Sequence, residues 1–569
     1  MCSARFLERK TLLRDQIEML CDLLVVGGGV SGIMAAITAC EQGASVIVAD
    51  LAHTRRSGDA GHGNDHLAAY LNLGGKWDTS EEFLNLYVRL SQGFVDREVV
   101  DATSVSVIPE MIERLENSGI QLKDSKTGKY IRTGAFDQPQ GYYINFEAAD
   151  MKPRMVKEAR RLGAKMLNRV MIVDPLLGDD GRIIGAVGFN IRSGEFYLIR
   201  SRGVLLSTGS ISQIWKNPTP YMFNVWHGAY NGGAPYCLAW HAGAEIANCE
   251  LSATSLVPKG FSAAGFNAIF GMGGHLVNAL GERFTLNHHP RGERGPRWLI
   301  CWAVHEEKKA SRGPVYVDVR HLSPEAIEHL TNHLLPVDKL TFIDYLNQKR
   351  IDLSTDLLEV DLSEQALPGF TGKPYGIIMD RRCWTGIPGL YVAGATSTPC
   401  YALSGAFTTG ISAGREAGKA VLNASDPPAP KKEVVKTLRE KLLSPLKLTK
   451  GIPWQDFERK RQQIMTHYVG FERHEQGLLK AMDELGSLET VYKEIKANNF
   501  HELMRTTAAG HLLDVSKLVV WGALERKESR FGHGHHRTDY PETEEAYHGS
   551  ILLKKSDDTY KKRFVPAQQ

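Results

Sequence analysis

Three glycines at 27, 29 and 32 are spaced Gly-x-Gly-x-x-Gly, with Ser31 between the last two. In such a run the first glycine permits a tight turn, the second lets the backbone approach a pyrophosphate, and the third lets a helix pack closely on a strand. A helix starting there also aims N–H donors and a partial positive charge at an anion. Asp50 follows Gly32 by 18 residues, the spacing at which a carboxylate meets a ribose hydroxyl. An acid there favours an unphosphorylated ribose, hence FAD or NAD over NADP. Two histidines, His62 and His66, come soon after Arg55-Arg56-Ser57-Gly58. Imidazoles change charge near neutral pH, so at this place they are candidates for binding an anion or moving a proton.

These residues require a strand, a turn, a helix and a second strand to hold them. DLLVV (22–26), the glycine turn, the helical pattern IMAAITACEQG and the apolar run ASVIVAD (44–50) supply that βαβ unit. Farther on, 83–116 patterns as mostly amphipathic helix and 145–163 as another helix. Short β-rich runs at 168–174, 182–191 and 195–207, with a polar turn at 178–181, predict a small antiparallel meander. GLYVAGA (389–395) is a second strand leading into a glycine turn, with a helix from about Gly405 to Asn423. The proline cluster ASDPPAPKK (424–432) reads as a linker, 433–526 as helical and 531–569 as a polar tail.

With 569 residues the chain is long enough for several domains. The 68 Lys+Arg nearly cancel the 65 Asp+Glu, so no overall field points to nucleic acid or an anionic membrane, and any anion site must be built locally. Apolar residues at 43% and charged residues at 23% exclude disorder and a transmembrane class. The eight cysteines never come closer than 12 residues apart, so there is no zinc knuckle or ferredoxin-type cluster motif, and the bland reading is free buried thiols. The charged first 20 residues lack the apolar core of a secretory signal, and a cytoplasmic location is expected.

Several long stretches resemble the flavoprotein subunits of the succinate dehydrogenase and fumarate reductase superfamily, and within it the alpha subunits of adenylylsulfate reductases. They include RRSGDAGHGNDHLAAYL (55–71), YYINFEAADMKPRMVKEA (142–159), AGAEIANCE (242–250), GLYVAGATSTPCYALSGAFTTG (389–410) and ERKESRFGHGHHRTDYP (525–541). The resemblance implies an α/β fold: a Rossmann-like FAD-binding domain (21–240 and 371–425) with an inserted α+β capping domain (241–370). A lead-in (1–20), a C-terminal helical domain (433–530) and a tail (531–569) complete the expected layout. FAD would have its adenosine near Gly27, Gly29, Ser31, Gly32, Asp50 and the Val170 backbone. Its isoalloxazine would lie near Ser57, Gly58, Gly63 and the Ser404-Gly405-Ala406-Phe407 turn. Thr208, Gly209 and Gly394 complete the expected cofactor set. Gly58 stands where relatives carry a histidine that attaches FAD covalently, so noncovalent FAD is expected.

Fumarate chemistry needs cations to clamp two carboxylates. By the resemblance, the proton-delivering arginine falls at Phe270, the carboxylate-binding arginine at Ala402, and a histidine near Thr371. None of these can do those jobs. Reduction of a sulfonucleotide to AMP and sulfite requires instead a polyanion held beside the flavin. There too the family's residues are replaced: its substrate arginine falls at Ser252, a tryptophan at Tyr230 and an asparagine at Ala68. The catalytic candidates are therefore His62, His66, Tyr230, Asn231 and Ser252, with Lys259, Lys373, Arg381 and Arg382 as further cations that more often are simply solvated. His533, His535 and His536 alternate with glycine, yet relatives carry aromatics there, so packing or a substrate rim is favoured and no metal site is expected.

Apart from the FAD site, no second Gly-x-Gly-x-x-Gly follows a strand to hold NAD(P)H. Electrons are expected from a ferredoxin-like iron–sulfur subunit carrying a [4Fe-4S] cluster, in a hetero-oligomer acting on an anionic small molecule. The alternatives are a non-catalytic FAD electron-transfer subunit of a larger complex, or a fumarate reductase-like enzyme with another organic substrate.

Overall fold

A computed structural model of the chain describes residues 16–61, 66–135, 138–146, 148–217, 230–261, 266–338, 340–367, 374–557 and 559–567. Its centre is β1 (Gln16–Val26), whose last four residues are buried and apolar. Parallel neighbours are β2 (Val46–Asp50) on one side, followed by β3 (Lys165–Asn168). Two further strands, β4 (Val170–Leu177) and β5 (Ile183–Asn190), pair antiparallel with each other. The long β6 (Phe196–Leu206) then pairs with β5 through its first half, and with β7 (Leu390–Val392) through its last three residues. Along its whole length β6 runs parallel to β1.

Residues 16–20, expected in the lead-in, are thus strand. They pair with Phe196–Arg200, so β1 continues well upstream of the apolar run that predicts it. The expected meander exists, but as the β4–β5–β6 flank of the 7-stranded sheet.

Helix α1 (Val30–Glu41) leaves the glycine turn and lies against the later helix 402–422. A Cβ at Gly414 would run into the Ala35 carbonyl and the Thr38 hydroxyl; this close approach of two helices is what its small residues provide. Helix α2 (Met151–Arg161) packs on α1 from the side of β3. α3 (Ala234–His241) leads into the inserted segment, and the helix 402–422 is α4.

Four antiparallel strands, Leu256–Pro258, Leu358–Leu362, Val315–Asp318 and His275–Val277, form a separate sheet in that spatial order. They share a core of their own with the helix Arg297–Lys309, which includes Phe270, Val304, Val317 and Leu346. Beyond the proline linker come α5 (Lys432–Lys447), α6 (Trp454–Tyr468), α7 (Glu475–Tyr492) and α8 (Phe500–Glu525). α5 and α8 bury Val435, Leu442, Phe500 and Leu503 against the meander residues Met171, Val187 and Phe196.

The polar tail holds more structure than its composition suggests. Gly549–Ser556 and Thr559–Pro566 form an antiparallel hairpin, and the first strand also pairs with Ile246–Ala247. Only Gly549–Leu553 are buried. The second strand is a lysine- and arginine-bearing edge, where charge blocks further pairing, and so the segment patterns as polar. Among the described residues, no helix is long and apolar enough to cross a membrane.

Candidate functional site

The glycine turn, the ends of β2 and β6, β4 and the start of α4 surround a cleft of about 540 Å³. Gly27 turns with φ +99°, a value open to glycine. Gly32 is packed so tightly that a Cβ would strike the Gly27 carbonyl and the Ser207 hydroxyl. Gly29 and Gly58 meet across the cleft floor, where a Cβ on Gly58 would come 3.0 Å from the Gly29 Cα. Asp50 is buried at the end of β2; its Oδ2 accepts from Gly28 N and its Oδ1 from Ala52 N, each at 2.6 Å. A carboxylate has about four lone-pair positions, so acceptor capacity remains for a ligand hydroxyl.

Of the residues singled out in the sequence, Gly27, Gly29, Ser31, Asp50, Ser57, Gly58, Val170, Thr208, Gly209, Tyr230 and Asn231 line this cleft. Gly32 and Gly394 stand behind it; a Cβ on Gly394 would run into the Ser31 hydroxyl. Ser404, Gly405 and Phe407 are buried in the first turns of α4, while their neighbours Ala402, Leu403 and Ala406 reach the cleft. Ser404 ties α4 to a short strand by accepting from Ala68 N at 2.8 Å and donating to Ala68 O at 2.6 Å. His66 starts that strand, its ring edge-on to Tyr143 at 4.7 Å, and lies outside the lining. His62, Gly63, Thr371 and Lys373 lie outside the described residues.

Ser252 also stands away from the cleft lining. Its N–H donates to His533 O at 2.9 Å and its hydroxyl to Gly534 O at 3.1 Å, so it anchors the histidine-rich loop. In that loop His535 is enclosed: its Nε2 pairs with Arg526 O and its Nδ1 with Arg473 Nη1, both at 3.1 Å. Burial, reinforced by the charges of Arg473 and Arg526, holds its pKa well below the usual histidine range. A neutral ring that accepts from Arg473 and donates to the carbonyl satisfies both contacts. The loop is therefore braced by hydrogen bonds. The other cations named in the sequence take part in ion pairs: Lys259 with Glu359 at 3.3 Å, Arg381 with Glu98 at 3.2 Å, and Arg382 with Asp380 at 3.1 Å.

Lys152, which lies outside every motif of the sequence, is 1% exposed. Its Nζ donates to Gly28 O behind the glycine turn. Burial pushes its pKa down to about 7, against the opposing pull of Asp50. Its position in the chain is the signal for it: Met151, Lys152, Met155, Val156 and Ala159 form the buried stripe of α2, and a lysine in such a stripe needs a partner.

The cleft fits FAD on its own features. The Thr208 hydroxyl is buried on the lining with no hydrogen-bond partner, the N-terminal turn of α1 has no side-chain cap, and glycines keep the floor low. Residues 22–411 match the family described as FAD binding domain, and residues 458–566 match the fumarate reductase flavoprotein C-terminal family. The chain belongs to the succinate dehydrogenase and fumarate reductase flavoproteins.

This flavoprotein is 25% identical over 564 residues to its counterpart in the fumarate reductase (CoM/CoB) of Methanothermobacter marburgensis, covering 94% of this chain and 97% of that one. Its fold is similar to that of adenylylsulfate reductase from Archaeoglobus fulgidus, with a TM-score of 0.87 at 21% identity over 97% of both chains. Similarity to quinol fumarate reductase of E. coli follows, with a TM-score of 0.81 at 21% identity over 97% of this chain and 98% of that one. The flavoprotein is thus an FAD-dependent oxidoreductase by family.

Proposed function

We propose that this flavoprotein is the catalytic component of a sulfonucleotide reductase, acting on adenylylsulfate or its 3′-phosphorylated form, with electrons from a ferredoxin-like iron–sulfur partner. The observation that carries the reading is Ala402. Where a dicarboxylate enzyme of this family would place a carboxylate-binding arginine, α4 presents a methyl group to the cleft. Phe270, at the other expected arginine, is buried in the cap core with its ring 6.0 Å from that of Phe266. A dicarboxylate meets neither charge. The whole-length likeness to an adenylylsulfate reductase supports the scaffold of this reading.

FAD, when bound, supplies a ring that accepts and donates an electron pair. The chain's residues do the holding. Asp50 takes the ribose hydroxyls, Gly29 and the first amides of α1 take the diphosphate, and the Val170 backbone borders the adenine. Ser57, Gly58 and the Ala402–Ala406 turn form the wall at the isoalloxazine, and no histidine at position 58 ties the ring covalently. Tyr230 and Asn231 stand at the rim, with Asn231 Nδ2 donating to Asp59 at 3.2 Å and Arg505 lying 4.9 Å over the Tyr230 ring. That rim is where an anionic substrate is met.

The test is a titration of the complex purified with its native partner. Adenylylsulfate should reoxidise the reduced protein with release of AMP, and sulfite should bleach the visible flavin absorption. A spectrum that ignores sulfite, AMP and adenylylsulfate alike excludes the reading. A second reading, a different organic acceptor, is favoured by the relative named as a fumarate reductase (CoM/CoB); reoxidation by an organic acid and not by adenylylsulfate would select it.

A further inference from the structure

The peptide joining Gly28 to Gly29 is gripped from behind the cofactor cleft. Gly28 O accepts from the Ser57 hydroxyl at 3.0 Å and from Lys152 Nζ, while Gly28 N donates to Asp50 Oδ2. The bond is not among the chain's cis peptides, and in a trans peptide the carbonyl and the following N–H point in opposite directions. Drawing the Gly28 oxygen back toward Lys152 therefore turns the Gly29 N–H forward. Gly29 lines the cleft at the N-terminus of α1, where a diphosphate is bound by such amides.

From this geometry we infer that Lys152 is a positioning residue for FAD: it fixes the Gly28–Gly29 peptide so that the Gly29 amide is aimed at the diphosphate, and its buried charge offsets that dianion from below. An orienting role alone could have been left to Ser57. The added lysine places an ammonium group in an interior where a cation is costly, and a bound dianion is what makes the charged form favourable there.

The charges around Lys152 are few. Asp50 faces it from β2. Arg56, on the cleft side, donates to Ala149 O at 2.5 Å just ahead of α2. The only charged residue of α1, Glu41, lies at its far end and pairs with Arg114. Without a ligand, burial brings the lysine to half-protonation at about pH 7; an anion above it raises that value. Binding of FAD is then coupled to proton uptake on the alkaline side, and affinity falls as pH rises from about 7 until the lysine is neutral in both states.

The experiment uses the full-length protein stripped of FAD and titrated with FAD by flavin fluorescence from pH 6 to 9, wild type beside Lys152→Met. The wild type should bind more weakly as pH rises. The variant should bind at least about tenfold more weakly at pH 6.5, about 1.4 kcal/mol, with a flatter pH profile, while its apoprotein melts no lower than the wild type. Equal affinity and equal pH dependence in the two proteins would overturn the role, as would weakened binding accompanied by an equally destabilised apoprotein. Should the variant not fold, calorimetry of the wild type at pH 8 in buffers of different ionisation enthalpy decides: uptake of a proton per FAD is expected, and none overturns the proposal. The inference rests on FAD as the ligand of this cleft; a wild type that binds no FAD sinks that premise, whereas an FAD-binding wild type matched by its variant sinks only the lysine.

Discussion

Arg526 and Glu250 meet at 2.7 Å with neither side chain exposed to solvent. Glu250 lies where the chain enters the cap and Arg526 just beyond the end of α8, so one ion pair joins elements 276 residues apart. Arg526 also donates to Glu528, to Asn248 and to two backbone carbonyls. Arg526→Met should destabilise the protein by about 3–5 kcal/mol, because it leaves a buried carboxylate without its counter-charge. Denaturant unfolding checks this, and pairing the change with Glu250→Gln should recover part of the loss.

Asp50→Ala removes the acceptor of the Gly28 and Ala52 amides and the proposed ribose contact. Affinity for FAD should drop by about 10- to 100-fold, the worth of ~1.5–3 kcal/mol for hydrogen bonds to a charged group. Equilibrium dialysis of the flavin is the direct measurement.

Gly414→Val drives a side chain into Ala35 O and the Thr38 hydroxyl across the α1–α4 contact. Separating two helices that frame the cleft should cost about 1–3 kcal/mol and lower flavin occupancy of the purified protein. An unchanged melting temperature would show that this contact yields without cost.

His535 gives a pH dependence of definite sign. The folded state holds it neutral far below the unfolded value of about 6.5, so below that pH the unfolded chain takes up a proton that the native state refuses. Its contribution to stability is complete above about pH 6.5 and is lost as pH falls, by ~1.4 kcal/mol per unit for one group. His535→Gln, which keeps an acceptor and a donor, should be less stable than wild type at pH 7.5, with the gap narrowing by pH 5.5 in urea unfolding.

Much of the cofactor site is legible because its residues are local. Gly27, Gly29, Gly32 and Asp50 lie in one βαβ unit, where the period of apolar residues and the glycine spacing are both visible. Lys152 belongs to another helix more than 100 residues later, and nothing in the glycine motif announces it. Resemblance puts Ser404 and Phe407 beside the cofactor, yet helical rotation turns Ala402 and Ala406 toward the cleft instead. The histidine loop suggests chemistry by composition. Its enclosure among Arg473 and Arg526 depends on chain segments brought together only by folding, as does the hairpin at the tail, whose charged outer strand hides a buried inner one.

The split pairing of β6 has a consequence for synthesis. Its last residues, Val204–Leu206, gain β1 as a neighbour at once, but their other neighbour is Leu390–Val392. The ribosome must make the whole cap before that side of the strand is covered. Throughout that interval an apolar β edge stays open on the nascent chain, a template for the wrong partner. Production of this protein should therefore respond to slower translation and to chaperones that shield strand edges, more than to changes at the surface of the finished fold.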